Sequence, residues 1–386
     1  MPLKPAQLWH LLQTKQTAFN SFNQTSLEVL RRYRQSLRLA AQQTNPQLEA
    51  ALTGFTWVGA RPLELLGQAT NWQIPSHCNW GNRQASLEWA REQITGITTF
   101  AVDGSQVYPN KDVSLPIALV QVGWFENPHL PDGTYKKDVR LDVMTPADLT
   151  DQVNGRPTDR LVNMHRLQME TERLIEYMRQ QPEPAQCLVF FDGALAATFA
   201  EAFDAETRAF HIQCLLNLVR ASDKYRIPVV GYIDNSNARD LVVLLGQLYQ
   251  LAEAPGLRDA RLLAEGMHWG DRTPIFCCDR EILAEYQEHS QSIAFTYLKA
   301  HDGFPVRLEF PRWVYEDGLH EQVIDWVKAE VIVGGGYPYA IETADQTAVL
   351  QTSDRQMFYQ ILQDWAEQAD LRVRFSRKMV SKTRRR

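Results

Sequence analysis

The stretch Leu188-Val189-Phe190-Phe191-Asp192-Gly193-Ala194-Leu195 decides how this chain is read. It has an echo at Thr98-Thr99-Phe100-Ala101-Val102-Asp103-Gly104-Ser105. Each is a short apolar run with β-branched and aromatic members that ends in Asp-Gly and a small residue. Such a run reads as a strand buried on both faces. The Asp then sits where the strand emerges, and the Gly lets backbone and ligand come close. Two carboxylates delivered to one edge of a central sheet suit a divalent cation, because hard cations prefer oxygen ligands. Asp-Gly is also a common hairpin turn. After Asp192 the helix-forming Ala194-Leu195-Ala196-Ala197 argues against a returning strand. After Asp103 a hairpin stays open, although Tyr108-Pro109-Asn110-Lys111 offers its own turn.

Outward from these two runs the pattern is consistent. Residues 6–53 show helical periodicity, and 54–82 are irregular and rich in Trp, Pro, Gly and Asn. Strands are expected at 100–103, 116–125 and 135–144, joined by turn-rich connections as a meander. A helix at 159–181 leads into the Asp192 strand. A helix at 196–224, a strand at 227–233 and a helix at 238–252 follow. Further strands fall at 292–299 and 305–310, with helices at 317–329, 339–351 and 353–369. Three antiparallel strands followed by alternating helix and strand predict an α/β fold: a ribonuclease-H-like mixed β-sheet flanked by helices, with a helical N-terminal region. In that order the first and fourth strands are parallel neighbours, which makes Asp103 and Asp192 neighbours too. The expected division is 1–96 (helical region and connector), 97–375 (nuclease-like domain) and 376–386 (basic tail).

The helix before Asp192 carries Glu170, Glu172 and Glu176. Leu167, Thr171, Leu174 and Met178 mark its inner face, and Glu170 borders that face, whereas Glu172 and Glu176 project away. A carboxylate turned toward a core costs several kcal/mol unless it is paired or metal-bound. Glu170 is therefore the third candidate, against the plainer possibility of a helix-edge Glu paired with Arg166 or Arg173. In Tyr337-Pro338-Tyr339-Ala340-Ile341-Glu342-Thr343-Ala344-Asp345 a fourth acid, Asp345, stands beside small and apolar residues, with Glu342 as its competitor.

Composition bounds the rest. Apolar content of 44% and charged content of 22% over 386 residues are those of a soluble globular protein. The N-terminus shows no hydrophobic signal core, and no apolar run approaches the roughly 18 residues of a membrane span. Five cysteines in no zinc spacing fit a reducing cytoplasm. Net charge is −6, yet eight of the 40 Lys and Arg lie in residues 371–386, leaving 32 basic against 46 acidic residues elsewhere. A basic tail on an acidic body points to a polyanion or to simple solubilisation. There is no Gly-x-x-x-x-Gly-Lys-Ser/Thr loop, and Gly334-Gly335-Gly336 lacks the Lys, so ATP-driven movement needs a separate partner.

With these residues assembled, the chain resembles the NurA nuclease family. The matching pieces are Val102-Asp103-Gly104-Ser105, the Glu170 helix, Phe191-Asp192-Gly193-Ala194-Leu195 and the Tyr337-Pro338…Ala344-Asp345 segment, within residues 97–375. The resemblance implies a metal-dependent DNA nuclease, a 5′-to-3′ exonuclease and single-strand endonuclease acting on single-stranded DNA and duplex ends. It implies manganese as cofactor, a homodimer, and a HerA-type hexameric ATPase as partner in double-strand break end resection. Asp103, Glu170, Asp192 and Asp345 would be the catalytic, metal-binding carboxylates of a two-ion site. Asp345 stands where the archaeal pattern has His, which shifts preference toward magnesium. Where many relatives carry a Lys after the strand at 229–233, this chain reads Asp234-Asn235-Ser236-Asn237-Ala238-Arg239. Ser105, Tyr108, Arg239, Tyr337, Arg377 and Lys378 are expected to contact nucleic acid, the two tyrosines by stacking on unpaired bases. Two rivals stand beside this reading: a DNA- or motor-binding module of the same fold that does not cut, and a nuclease for RNA or structured nucleic acid.

Overall fold

The computed structural model describes residues 3–65, 71–78, 80–150 and 158–376. Arg377, Lys378 and the rest of the basic tail lie outside the described residues. Helices α1 (Pro5–Thr14), α2 (Gln16–Ala40) and α3 (Asn45–Ala51) precede strand β1 (Gly59–Pro62) and helix α4 (Arg83–Ile94). Strands β2 (Thr98–Val107), β3 (Ala118–Asn127) and β4 (Lys136–Met144) follow, then α5 (Pro146–Leu149) and α6 (Asp159–Gln180). Next come β5 (Cys187–Asp192), α7 (Ala205–Tyr225), β6 (Val229–Ile233), α8 (Asp240–Leu248) and α9 (Asp259–Leu263). Strands β7 (Phe276–Asp279), β8 (Ile293–Leu298) and β9 (Val306–Pro311) lead to α10 (Trp313–Glu316), α11 (His320–Val333), α12 (Tyr339–Ala348) and α13 (Thr352–Gln368). Among the described residues no helix is long and apolar enough to cross a membrane.

The chain forms two compact units. One gathers residues 1–79, 233–281 and 294–308; the other gathers 80–232, 282–293 and 309–386. The boundary read from the sequence near residue 96 is a different, linear division. In the first unit β1 pairs antiparallel with β7, and β7 with β8. Helix α2 buries Leu30, Tyr33, Leu37 and Ala40, one side of the helix. Buried Asp240 is held between Arg280, at 2.5 Å, and Arg307, at 2.8 Å. Burial alone would raise the Asp240 carboxyl, but the two guanidinium groups outweigh it and hold the group below the usual carboxylate range.

The second unit carries the ribonuclease-H-like core in the strand order β6-β5-β2-β3-β4. β2, β3 and β4 form the expected antiparallel meander. β5 then lies parallel to β2, with Val102 opposite Phe191, and β6 lies parallel to β5. Residues Cys187 to Phe191 are all buried, as a strand covered on both faces requires. Helices α6 and α12 both pack on β2. They do so from opposite faces. A Cβ at Gly104 would run into α6, 2.6 Å from Arg166 Cγ, while a Cβ at Gly123 would lie 2.6 Å from the backbone nitrogen of Ala348 in α12. Residues 104 and 123 are glycine because each helix comes too close for a side chain.

Several expectations are corrected. β2 does not end at Asp103: it runs on to Val107, so Asp103-Gly104 is neither a turn nor a strand end. Pairing with β3 out to Val107 keeps the strand extended. The segment 54–82, expected to be irregular, contains β1, whose ladder partner β7 is more than 200 residues away and invisible to local pattern. The helix expected at 317–329 extends to Val333.

One buried carboxylate ties this unit together. Glu330 of α11 is fully buried and accepts from Thr99 Oγ1 of β2 at 2.9 Å and from the amide of Ala340 in the first turn of α12 at 2.8 Å. His129 Nε2 lies 3.0 Å from it. A negative charge at the start of α12 also complements that helix's dipole. Glu330→Ala leaves these partners unsatisfied in a dry interior, and it is expected to destabilise the protein by roughly 3–5 kcal/mol. Urea unfolding of the full chain measures this, and Glu330→Gln is expected to recover part of the loss.

Candidate metal centre

Asp192 stands at the exposed end of β5, one step beyond the Val102–Phe191 pair. Its loop is clamped: Glu309 accepts from the amide of Ala196 at 3.0 Å, and the Tyr286 hydroxyl donates to Leu195 O at 2.7 Å and accepts from Ala197 N at 3.1 Å. Asp103 lies on the adjacent strand opposite Gly123. Its side chain therefore points to the α12 face, where the Asp345 carboxyl helps to raise its pKa. Asp345 itself is exposed on α12, beside buried Ala344 and Ile341.

Glu170 reaches the same place from the opposite face. It is buried on α6, 3.4 Å from Arg166 Nη1, and Arg166 also donates to Gly104 O at 3.1 Å. The atom in that ion pair is Oε1, which accepts no hydrogen bond, so the pairing with Arg166 weighed from the sequence is present alongside the approach to the other acids. The other glutamates of α6 are spent elsewhere, as the helix periodicity predicts. Glu176 takes both Arg140 nitrogens, at 3.0 and 2.8 Å, and Glu172 accepts from Gln168 at 2.8 Å.

Electrostatics couples the four acids. Burial first, then Asp345 and Asp192, push the Asp103 carboxyl up to about 6, against a lowering hydrogen bond from Gly104. Burial pushes Glu170 up to about 8; Arg166 opposes this, and Asp103 and Asp192 add to it. Asp103 thus interacts with each of the other three. The group is nevertheless open: among the described residues no three of these carboxylates bring one oxygen each within 4.8 Å of one another. A cavity of about 460 Å³ borders it, lined by Asp192, Gly334–Gly336, Tyr337, Ile341, Glu342 and Asp345. The competitor Glu342 shares that cavity without replacing Asp345 as the partner of Asp103. A buried carboxylate oxygen without a hydrogen bond, among acids that raise one another's pKa, fits a hard divalent cation.

The residues singled out for nucleic acid are placed differently. The Tyr337 hydroxyl donates to Asp192 Oδ1 at 3.0 Å, and its ring meets Tyr232 edge to face at 5.1 Å. Tyr108 is tied to Asn163 at 2.7 Å and Gln106 at 2.8 Å. Ser105 Oγ accepts from Leu350 N at 3.2 Å, just beyond α12. Arg239 belongs to the other compact unit, where it donates to Ala254 O at 3.0 Å. Glu309, Glu330 and Tyr286, which hold the frame of the site, were not foreseen. A lone acid inside an apolar run, as in Ala329-Glu330-Val331 and Leu308-Glu309-Phe310, was the available signal.

Comparison with known proteins places the chain in a family. The NurA domain model matches residues 97–350. The chain belongs to the NurA family. No curated protein sequence matches it. Among solved structures, the NurA nuclease from Sulfolobus solfataricus superposes with a TM-score of 0.51 at 10% identity, covering 95% of this chain and 98% of that one. That likeness shows a shared NurA fold. The catalytic domain of human Endonuclease V matches at a TM-score of 0.34 and 14% identity, over 72% of this chain and 94% of that one.

Two outcomes follow for the metal-free protein. Unfolded Glu170 loses its proton near the ordinary 4.5, whereas folded Glu170 keeps it to about 8. Between those values the folded state binds more protons, so stability falls as pH rises through the window and levels off above it. Melting in chelator across pH 4–9 is expected to show that fall, and Glu170→Gln is expected to flatten it. Gly104→Ala drives a methyl into Glu170 Oε1 and the Arg166 stem. It is expected to weaken binding of manganese, followed by calorimetry, by roughly tenfold or more.

Proposed function

We propose that this NurA-family chain is a metal-dependent DNA nuclease whose centre is Asp103, Glu170, Asp192 and Asp345. The observation that carries the reading is the position of Asp103 on the α12 side of β2, where Asp345 and Asp192 raise its carboxyl and it in turn raises that of Glu170. Asp103 is the group best placed to be shared, with Glu170 and Asp192 on one side and Asp345 on the other. When bound, divalent cations would lower the pKa of a water to make a nucleophile and stabilise the leaving oxygen of a phosphodiester. The ions would be two, manganese or magnesium, with Asp345 in place of an imidazole favouring the harder ion.

The chain's own residues prepare this chemistry. Asp103 and Glu170 give up protons that burial and mutual repulsion hold on the metal-free carboxyls. Tyr337 holds one oxygen of Asp192, and the clamped loop 195–197 keeps that strand end in place. The bordering cavity leaves room on the Asp192–Asp345 side for the substrate strand. Family membership supports the further reading: a cytoplasmic homodimer that degrades DNA ends 5′-to-3′, cuts single strands, and works with a HerA-type ATPase in end resection. In that scheme residues 1–96 and the basic tail beyond 375 flank the nuclease part. The open spacing of the four acids supports a second reading, a DNA-binding module of the same fold that does not cut.

End-labelled single-stranded and duplex DNA, with RNA beside them, separates the two. Cleavage is expected with manganese or magnesium, none in EDTA, and a loss of roughly a hundredfold or more in Asp103→Asn. Full digestion in EDTA, or by Asp103→Asn, rejects the proposed centre. DNA retention without cleavage under either metal selects the binding module, and preferential digestion of RNA reassigns the substrate.

A further inference from the structure

The turn that ends α13 fixes where the basic end of the chain begins. Asp370 adopts a left-handed φ of 52°, and Leu371 N donates to Ala366 O at 2.8 Å, which closes the helix. The next residues run along the loop between β2 and β3. Ser114 N donates to Arg374 O at 2.9 Å, Arg374 N donates to Ser114 Oγ at 2.8 Å, and Ser376 N donates to Asp112 O at 2.8 Å. Phe375 forms a bridge with Val113. Val373 and Phe375 are half-buried while Arg372 and Arg374 are exposed, the alternation of an extended segment. Lys111, on the same loop, is exposed too.

Strand direction says which end of the sheet this is. β5 stops at Asp192, and its parallel neighbour β2 continues past Asp103 to Val107 before the chain turns back into β3. The loop therefore starts roughly 13 Å beyond the level of Asp103, at the Asp192 end. The opposite end holds the last turn of α4 and the hairpin from β3 to β4, where Arg91, Lys136 and Lys137 are exposed. Past Ser376 the sequence adds Arg377, Lys378, Lys382, Arg384, Arg385 and Arg386 without an acid. A chain of that length can span at most about 35 Å, enough to reach the metal centre from its anchor.

We propose that Lys111, Arg372 and Arg374, continued by the six basic residues after Ser376, hold the phosphate backbone of single-stranded DNA beside the metal centre. Four carboxylates in mutual repulsion also repel a polyanion, and outside residues 371–386 acids outnumber bases by 46 to 32. A substrate strand needs positive charge at this end of the sheet to approach, and the strip supplies it. Asp112 and Asp370 are the acids that flank it in sequence. Contacts to phosphate fix the position of a strand without reading its bases, which suits an enzyme that must accept any sequence. The inference rests on the DNA-nuclease reading above and names what holds its substrate.

Fluorescence anisotropy of the full chain with labelled oligothymidine, in EDTA and from roughly 50 to 200 mM salt, tests it. Changing Lys111, Arg372 and Arg374 together to Gln is expected to make the slope of log affinity against log salt shallower by roughly 2, at about 0.7 per phosphate contact. Changing the six residues after Ser376 to Gln is expected to make it shallower by roughly 4. Arg91→Gln, Lys136→Gln and Lys137→Gln together remove the same charge as the first trio at the opposite end of the sheet, and are expected to leave the slope alone. Melting curves establish that each variant is folded before it is compared. A wild-type slope in the first trio overturns the strip, and so does an equal change in the opposite-end trio. Strip-dependent binding by a wild type that cuts nothing with either metal keeps the strip and rejects the nuclease reading. Cleavage by a wild type whose slope all the variants share rejects the strip alone.

Discussion

The parallel pairing of β2 with β5 is the constraint on which the rest depends. It joins two strands 89 residues apart with Val102 opposite Phe191, and so sets Asp103 and Asp192 at one level of the sheet. Neither helix-borne acid has a site to approach without it. Given that pair, α6 on one face and α12 on the other each need only present one carboxylate. Gly104 and Gly123 remove the side chains that would hold the two helices away. The electrostatic coupling of the four acids is thus a property of sheet register and of two missing Cβ atoms, more than of any local motif.

Such a gathering works against folding. Burial and mutual repulsion raise Asp103 to about 6 and Glu170 to about 8, which means their charged forms are disfavoured where they sit. The surrounding frame offsets that cost with buried polar contacts that carry no role in the chemistry. Glu330 joins α11, β2 and the start of α12, and Glu309 with Tyr286 secures the loop behind Asp192. Strain of this kind is common at functional sites, where a ligand relieves what the empty protein must tolerate.

Tyr337 and Arg239, expected from the sequence to contact nucleic acid, make contacts within the chain that residue type does not disclose. A tyrosine beside a Gly-rich turn suggests base stacking, yet its hydroxyl is engaged by Asp192 and its ring by Tyr232. An arginine after a strand suggests a phosphate clamp, yet Arg239 donates to a neighbouring carbonyl. Long flexible side chains take whichever acceptor the fold brings near, and one-dimensional spacing carries little of that information.

What the sequence by itself determined was the alternation of elements and which acids are candidates for the site. Apolar runs ending in Asp-Gly marked β2 and β5, their order implied a parallel neighbour pair, and the 3.6-residue period singled out Glu170 from Glu172 and Glu176. These are local signals, because burial on one face writes its period into the chain. Only the tertiary structure decided that β2 runs on past Asp103, that Asp345 rather than Glu342 meets Asp103, and that Glu330 and Glu309 hold the frame. It alone paired β1 with β7 and set β4 last in the strand order. Each of these depends on contacts between residues far apart in sequence, where register and the choice of partner are fixed by the packed whole.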